Sequence, residues 1–251
     1  MTFDGKVVVI TGAAQGIGLE YGRLFGTAGA TVYMADIQGE QVRAEAANLV
    51  SEGLAAVGVA LDIGDAPAFA ALADQIVDER GRLDVLINNA AIYAGYSNYS
   101  LMELPLDYWN RFIDINLSGI LNGVRAVAPH MKKARYGRII NQSSGGASHP
   151  RNQYSMTKLA MQALSIGLAR SLGGYGITVN CLAPGITDTA ATRGHYTDEQ
   201  LAQMVATRTA LGRIGTVTDI ADGALWLASD QAALVTGQVL HVDAGYVMNA
   251  A

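Results

Sequence analysis

The chain has 251 residues, of which 50% are hydrophobic and 16% charged, with a formal net charge of −5 at pH 7. That length buries a sizeable core within one domain, and the charge is spread without the basic block that gives nucleic acid a footprint. No apolar stretch reaches the ~18 residues of a membrane span, and the N-terminal apolar run is too short for a signal-peptide core, so a soluble cytoplasmic protein with no membrane partner is expected.

The first element is a β-branched apolar run, a buried strand near 6–11, and it leads directly into Thr11-Gly12-Ala13-Ala14-Gln15-Gly16-Ile17-Gly18 and a helical pattern near 16–28. This is a phosphate-binding turn. Gly12 permits the tight turn, Gly16 lets the backbone approach a pyrophosphate, and Gly18 lets the helix sit close on the sheet, its N-terminus offering N–H donors and positive dipole to the anion. A second strand, 31–35, ends in Asp36, about twenty residues on, where a carboxylate accepts from an adenine-ribose 2′-hydroxyl and repels a 2′-phosphate. Ile37 and Gln38 follow it rather than an Arg, which favours NAD over NADP.

The pattern continues with a helix at 38–51, strand 54–60, helix 65–79, strand 83–87, a long helix near 106–133 and strand 137–142. A helix at 153–173, strand 176–182, helices near 197–205 and 217–228 and a last strand near 238–242 complete it. Such βαβ alternation predicts a single α/β domain: a doubly wound parallel β-sheet with helices on both faces. Ligands then bind outside the carboxyl ends of the strands. The Lys132-Lys133-Ala134-Arg135 cluster reads as a helix C-terminus complementing its dipole. Cys181 falls in a buried strand and reads as core packing. His130, His149, His195 and His241 lack metal-ligand spacing, so no metal site is expected.

On the helix at 153–173, Tyr154 and Lys158 are four positions apart and point the same way. A phenol titrates near ~10, and an adjacent ammonium favours the phenolate and brings proton transfer toward neutral pH.

With the glycine loop and this pair in hand, the chain resembles the short-chain dehydrogenase/reductase superfamily over essentially its whole length. The motifs follow in order: Asn88-Asn89-Ala90-Ala91, Asn116, Ser144, Tyr154/Lys158, Pro184-Gly185, and a C-terminal Thr236-Gly237-Gln238 with Val242-Asp243-Ala244-Gly245. The resemblance implies a Rossmann-like fold and a Ser–Tyr–Lys site assisted by an Asn, acting on an alcohol or ketone with a nicotinamide cofactor. Tyr154 would be the acid/base, Lys158 would lower its pKa and hold the nicotinamide ribose, and Ser144 would orient the substrate oxygen, with Ser143 the adjacent alternative. Asn116 would hold a water in a proton relay behind Lys158. Gln15 and Ile17 in the glycine loop, Asp36 and Ile37, Asp62 and Ile63, Asn89 and Ala90, and Pro184, Gly185, Thr187 and Thr189 would contact the cofactor. The alternative for Asp62 is a helix N-cap before 65–79.

Three positions depart from the family pattern: Ala91 and Ala244 stand where Gly is usual, and Thr187 where Ile or Val is. Ser144 precedes Tyr154 by ten positions, fewer than in many family members, so the loop at 145–153 is short. Tyr93, Tyr96 and Tyr99, that loop, and the segment 192–204 within a substrate lid near 186–212 are the expected substrate walls, suited to a cyclic or aromatic secondary alcohol. Arg151 reads either as a holder of an acidic substrate or as an exposed loop residue. Helices 106–133 and 153–173 pack against copies of themselves in the family, which implies a homotetramer. The competing readings are a 3-oxoacyl-carrier-protein reductase, whose usual NADP Asp36 opposes, and a non-enzymatic NAD-binding sensor or scaffold. A nucleotide-sugar epimerase would need more chain than is present.

Overall fold

The structure, a computed structural model, describes residues 1–93 and 101–247. Its strands are β1 (Val7–Thr11), β2 (Thr31–Asp36), β3 (Ala56–Ala60), β4 (Val85–Asn88), β5 (Gly137–Gln142), β6 (Ile177–Pro184) and β7 (Val239–Val242). They form one seven-stranded sheet in the order β3-β2-β1-β4-β5-β6-β7, parallel at every pairing. The inner strands are buried throughout, because helices cover both faces and leave no alternating polar side.

One face is packed by α1 (Gly16–Thr27), α2 (Gly39–Ser51) and α9 (Val217–Ala228), through Tyr21, Phe25, Leu49, Ile220 and Leu227. The other is packed by α3 (Ala66–Arg80), α5 (Gly119–Ala134) and α6 (Gln153–Leu172), through Phe69, Ile76, Val127, Met131 and Leu172. The order in which strands are added reverses between β1 and β4, the sheet's topological switch point. No helix among the described residues is long and apolar enough to cross a membrane.

The long helix predicted near 106–133 is not regular. It consists of α4 (Leu106–Ile113), a π-helical turn at Asp114–Ser118 and then α5, which carries Pro129 inside it. Apolar periodicity does not register one inserted residue, so the sequence pattern reads straight through a π-bulge. A four-residue helix, α7 (Ala190–Arg193), was not foreseen, and the next, α8 (Asp198–Arg208), runs three residues beyond its predicted end at 205. Ala91 keeps a negative φ, so the turn after β4 does not require a glycine, whereas Ala244 adopts φ 56. For an alanine that left-handed backbone costs about 1–2 kcal/mol, so the exchange at 244 is not neutral.

Gly18 is the tightest contact between helix and sheet. A Cβ there would overlap the Gly12 carbonyl oxygen and lie 2.6 Å from Asn89 Nδ2. Gly18→Ala is therefore expected to lower stability by about 1–3 kcal/mol and to weaken dinucleotide binding with it. Urea melts and a nucleotide titration check both effects.

Candidate active site

The site is a cavity of about 1690 Å³ along the carboxyl ends of the strands, larger than the ~300–1,000 Å³ that a single small ligand takes. It has room for a dinucleotide and a substrate together. At the switch point Gly12 has φ 66, and a Cβ on it would meet Ala90 Cα at 2.7 Å. Asn89 locks this approach by donating from Nδ2 to the carbonyls of Thr11 (3.0 Å) and Gly12 (2.9 Å). The Thr11 hydroxyl accepts from the backbone of both Asn89 and Ala90 at 3.1 Å.

Gly16, at φ 58, would present a Cβ to open space on the cavity side. Gln15 caps α1 with extended backbone and no side-chain hydrogen bond, and the first turn holds no acid. The leading N–H groups and the positive end of the dipole are thus left to an anion. A dinucleotide fits these residues: Gly12 to Gly18 would cradle its pyrophosphate.

At the end of β2, Asp36 is buried and its carboxylate is fixed by Ala14 N (3.1 Å) and Gln38 N (2.9 Å). It lines the cavity beside Ile37, whose side chain is 71% exposed and forms an apolar ledge. Asp62 and Ile63 line the same end, with Asp62 accepting from Gly64 N at 2.8 Å. The N-cap of α3 is Asp65, which accepts from Ala68 N, so Asp62 is not needed as a cap. At the other end, Pro184 closes β6, and Gly185 packs so closely that a Cβ would lie 2.7 Å from Asp243 Cα. Thr187 is buried with its hydroxyl on the Gly185 carbonyl (3.2 Å), and Thr189 caps α7 by accepting from Thr192 N. All four line the cavity.

The reacting groups meet where β5 ends and α6 begins. Asn152 and Ser155 form a capping box that fixes the first turn of α6, and Tyr154 emerges from that turn. Its hydroxyl is in hydrogen-bond contact with Ser144, whose Oγ also accepts from Gly146 N at 3.1 Å. Ser143 is engaged elsewhere, donating to the Lys158 carbonyl (3.3 Å) and accepting from Gln162 (2.9 Å). Lys158 is 1% exposed, its Nζ donates to the Gln142 carbonyl at 2.6 Å, and it lies 5.6 Å from the centroid of the Tyr154 ring.

Asn116, on the π-helical turn, is fully buried. Its side chain accepts from Ile92 N (2.8 Å) and donates to Ile92 O (3.0 Å) and the Thr157 hydroxyl (3.3 Å). That amide holds both polar groups of the Ile92 backbone and reaches the residue before Lys158.

Burial dominates the electrostatics. It pushes the Tyr154 phenol well above its ordinary value, with Tyr93 adding to the rise and Ser144 opposing it. Lys158 is pulled down to about 7 by the same loss of solvent, slightly opposed by Cys181. Burial thus holds the phenol neutral and leaves Lys158 only partly charged near pH 7, whereas the sequence suggested a phenol already activated by its neighbour.

Tyr93 packs edge-on against Tyr154 with centroids 5.0 Å apart, and His195 lies 5.0 Å from Tyr93. Tyr96 and Tyr99 lie outside the described residues. Sequence reading did not find Tyr246 or the α4 face (Asp107, Asn110, Arg111) in the cavity lining, and named Arg208 only as part of the lid. Nor did it find Gln142 as the acceptor for Lys158, although a residue two before Ser144 at the end of a strand was the place to look.

A family model described as enoyl-(acyl carrier protein) reductase matches residues 12–247. An uncharacterized oxidoreductase of Mycobacterium tuberculosis is 41% identical over 246 residues, covering 98% of this chain and 99% of the relative. Among solved structures, a 7α-hydroxysteroid dehydrogenase complexed with NADH and 7-oxo glycochenodeoxycholic acid superimposes with a TM-score of 0.90 at 33% identity, over 97% of this chain and 95% of that one. A 3-oxoacyl-[acyl-carrier protein] reductase with bound NAD from Brucella melitensis gives 0.88 at 34%, over 98% and 93%.

Lys158 makes a pH prediction. Its folded pKa of about 7 lies below the 10.5 of a free lysine, so its burial costs stability at and below the folded value and the cost is relieved as pH rises toward the unfolded one. Between about pH 7 and pH 8.5, below the range where the buried tyrosines matter, the cofactor-free protein should gain stability from this group, and Lys158→Met should remove that gain. Thermal melts of both proteins across the interval are the check.

Proposed function

This chain belongs to the short-chain dehydrogenase/reductase superfamily, and we propose that within it the protein is an NAD-dependent oxidoreductase interconverting a secondary alcohol, cyclic or aromatic, and its ketone. The observation that carries the reading is the Ser144–Tyr154–Lys158 cluster at one end of a cavity whose other end holds the Asp36 carboxylate. When bound, the nicotinamide ring supplies the hydride donor or acceptor. Tyr154 gives or takes the proton at the substrate oxygen, and Ser144 hydrogen-bonds that oxygen and orients it. Lys158 with its positive charge restored favours the phenolate across 5.6 Å, so Tyr154 becomes a base only in a complex that holds the ammonium form. Asn116 supports the site from behind.

Asp36 supports NAD, and the solved relatives with NADH and with NAD bound agree with that preference. The oxo-steroid ligand of one relative supports a cyclic substrate. A second reading, a 3-oxoacyl-carrier-protein reductase, is favoured by the Brucella melitensis relative, which binds NAD and so weakens the cofactor argument against it. The segment 186–212, with α7 and α8 against the cavity, acts as the substrate lid. A cytoplasmic setting fits nicotinamide chemistry and the free, buried Cys181. Leu159 and Ile166, both exposed on α6 and one heptad apart, support a homotetramer, for which light scattering should give about four times the monomer mass; a monomer at micromolar concentration would refute it.

A screen for NADH formation over a panel of secondary alcohols tests the activity. NAD should be used at least ~10-fold better than NADP, about 1.4 kcal/mol, and Asp36→Ala should narrow the gap; equal use of NADP would overturn the assignment. Tyr154→Phe should lower the rate by ~10²–10⁴ while NAD still binds, since the ring remains and only the hydroxyl is lost. In the wild type the oxidation rate should rise through an apparent pKa well below ~10, and Lys158→Met should move that limb upward.

A further inference from the structure

We propose that the substrate carries an anionic group, a carboxylate or a phosphate, that docks on Arg151 and Arg208 at the substrate side of the cavity. The proposal rests on the oxidoreductase reading for the reaction, but its own grounds lie in how charge is distributed. In a chain of net charge −5, no Asp or Glu occurs between Asp114 and Asp188. That stretch contains β5, the short loop before α6, α6 itself and β6, and so supplies the serine, tyrosine and lysine together with Arg151.

The carboxylates that do line the cavity are Asp36, Asp62, Asp107 and Asp114. The first two belong to the end beyond β2 and β3. The other two flank Arg111, four positions before and three after it, at helical spacing, so the excess negative charge there lies around Arg111. Ile115, next to Asp114, packs toward Gly64 at the Asp62 end. On the substrate side, between the loop before α6 and the lid, the ionised or ionisable groups on the described cavity wall are His149, Arg151, Lys158, Arg208 and tyrosines. A cavity wall of one sign concentrates ligands of the other.

The two guanidinium groups are also uncommitted. Neither side chain has a hydrogen-bond or ion-pair partner among the described residues, whereas Arg193 in the lid and Arg213 just past it are satisfied, by Asp188 (2.8 Å) and Asp219 (2.7 Å). Arg208 is near enough to the Tyr196 hydroxyl to oppose the upward shift that burial gives it. Tyr196 in turn adjoins His195, which stacks beside Tyr93, the ring against Tyr154. Arg151 lies three positions before Tyr154. Both cations therefore line the same cavity as the reacting hydroxyl, Arg208 beyond the row of rings and Arg151 in the loop that leads into α6, and the planar fork of arginine matches carboxylate and phosphate oxygens two at a time.

The test compares matched ketones with NADH. For a carboxylate the pair is 4-oxocyclohexanecarboxylate and its methyl ester; for a phosphate it is acetoacetyl-CoA and the neutral acetoacetyl-N-acetylcysteamine thioester. The charged member of at least one pair should show a kcat/KM at least ~10-fold higher, and the pair that responds identifies the group. Arg151→Gln with Arg208→Gln should reduce that ratio at least fivefold, Arg151→Lys with Arg208→Lys should retain part of it, and Arg170→Gln, on the far part of α6, should leave it intact. Calorimetric titration of the NAD-loaded protein with cyclohexanecarboxylate and with cyclohexyl phosphate gives a readout independent of turnover, and the double Gln variant should weaken whichever binds. Ketone reduction with no charge preference, or a preference that survives the double Gln variant, would overturn the anion site and leave the oxidoreductase reading intact. Anion binding sensitive to both arginines in a protein that reduces no ketone would uphold the site and overturn the reaction.

Discussion

Gln142, the last residue of β5, ties the two helical layers to the sheet at the point where the chemistry lies. Its carbonyl accepts from Lys158 Nζ on the α6 side, while its side-chain oxygen accepts the buried Tyr21 hydroxyl of α1 on the other. The carbonyl is backbone and would survive substitution, so it is Tyr21 that depends on the side chain, and an unpaired buried hydroxyl costs about 1–3 kcal/mol. The pitch of α6 over the sheet, and with it the position of Tyr154 one turn before Lys158, follows from this arrangement. Two turns further along α6, Ser165 accepts from Asn141 Nδ2 (2.8 Å), and Asn141 in turn accepts from Asn88 (2.9 Å). Polar side chains thus cross from β4 through β5 to the helix inside an otherwise apolar layer. Such a network is favourable only when every member is satisfied, which restricts α6 to one register.

The same logic explains why the cofactor and substrate ends share one cavity. A parallel sheet delivers all its strand ends to one side, and the reversal between β1 and β4 opens a crevice there. Gly12, Gly18 and Asn89 allow three backbone segments to approach more closely than side chains would permit. Asp36 and Ile37 then lie to one side of the crevice, at the end of β2, and Ser144 and Tyr154 to the other, beyond β5. Distance along the sheet separates recognition of the adenosine from the reacting hydroxyl, so charge of opposite sign can be used at the two ends.

Much of this was legible in the chain. The strands announce themselves as unbroken apolar runs, because burial on both faces removes any alternation, and the glycine spacing and the four-residue interval from Tyr154 to Lys158 are local patterns that need no knowledge of packing. What depended on packing was not legible. The π-bulge at Asp114–Ser118 leaves the apolar pattern intact, α7 is too short to show a period, and the strain at Ala244 is a matter of φ alone. Nor could the direction of the Lys158 and Tyr154 shifts be read from their spacing. Proximity suggests mutual stabilisation of charge, but desolvation of both groups outweighs it.

Asn116 shows how an element without a visible sequence signature reaches the reaction centre. The π-helical turn adds one residue between α4 and α5 and turns this amide inward, fully buried. There it meets both polar groups of Ile92, as a neighbouring strand would, at a point just beyond the last residue of β4. The next residue is Tyr93, whose ring rests edge-on against Tyr154, and the third contact of Asn116 is Thr157, the neighbour of Lys158. One side chain therefore sets the spacing between the segment that covers the catalytic tyrosine and the helix that carries it. Because the Tyr154 shift comes first from burial and then from Tyr93, the depth to which Asn116 draws Ile92 inward also sets how strongly the phenol is held neutral until Lys158 is charged.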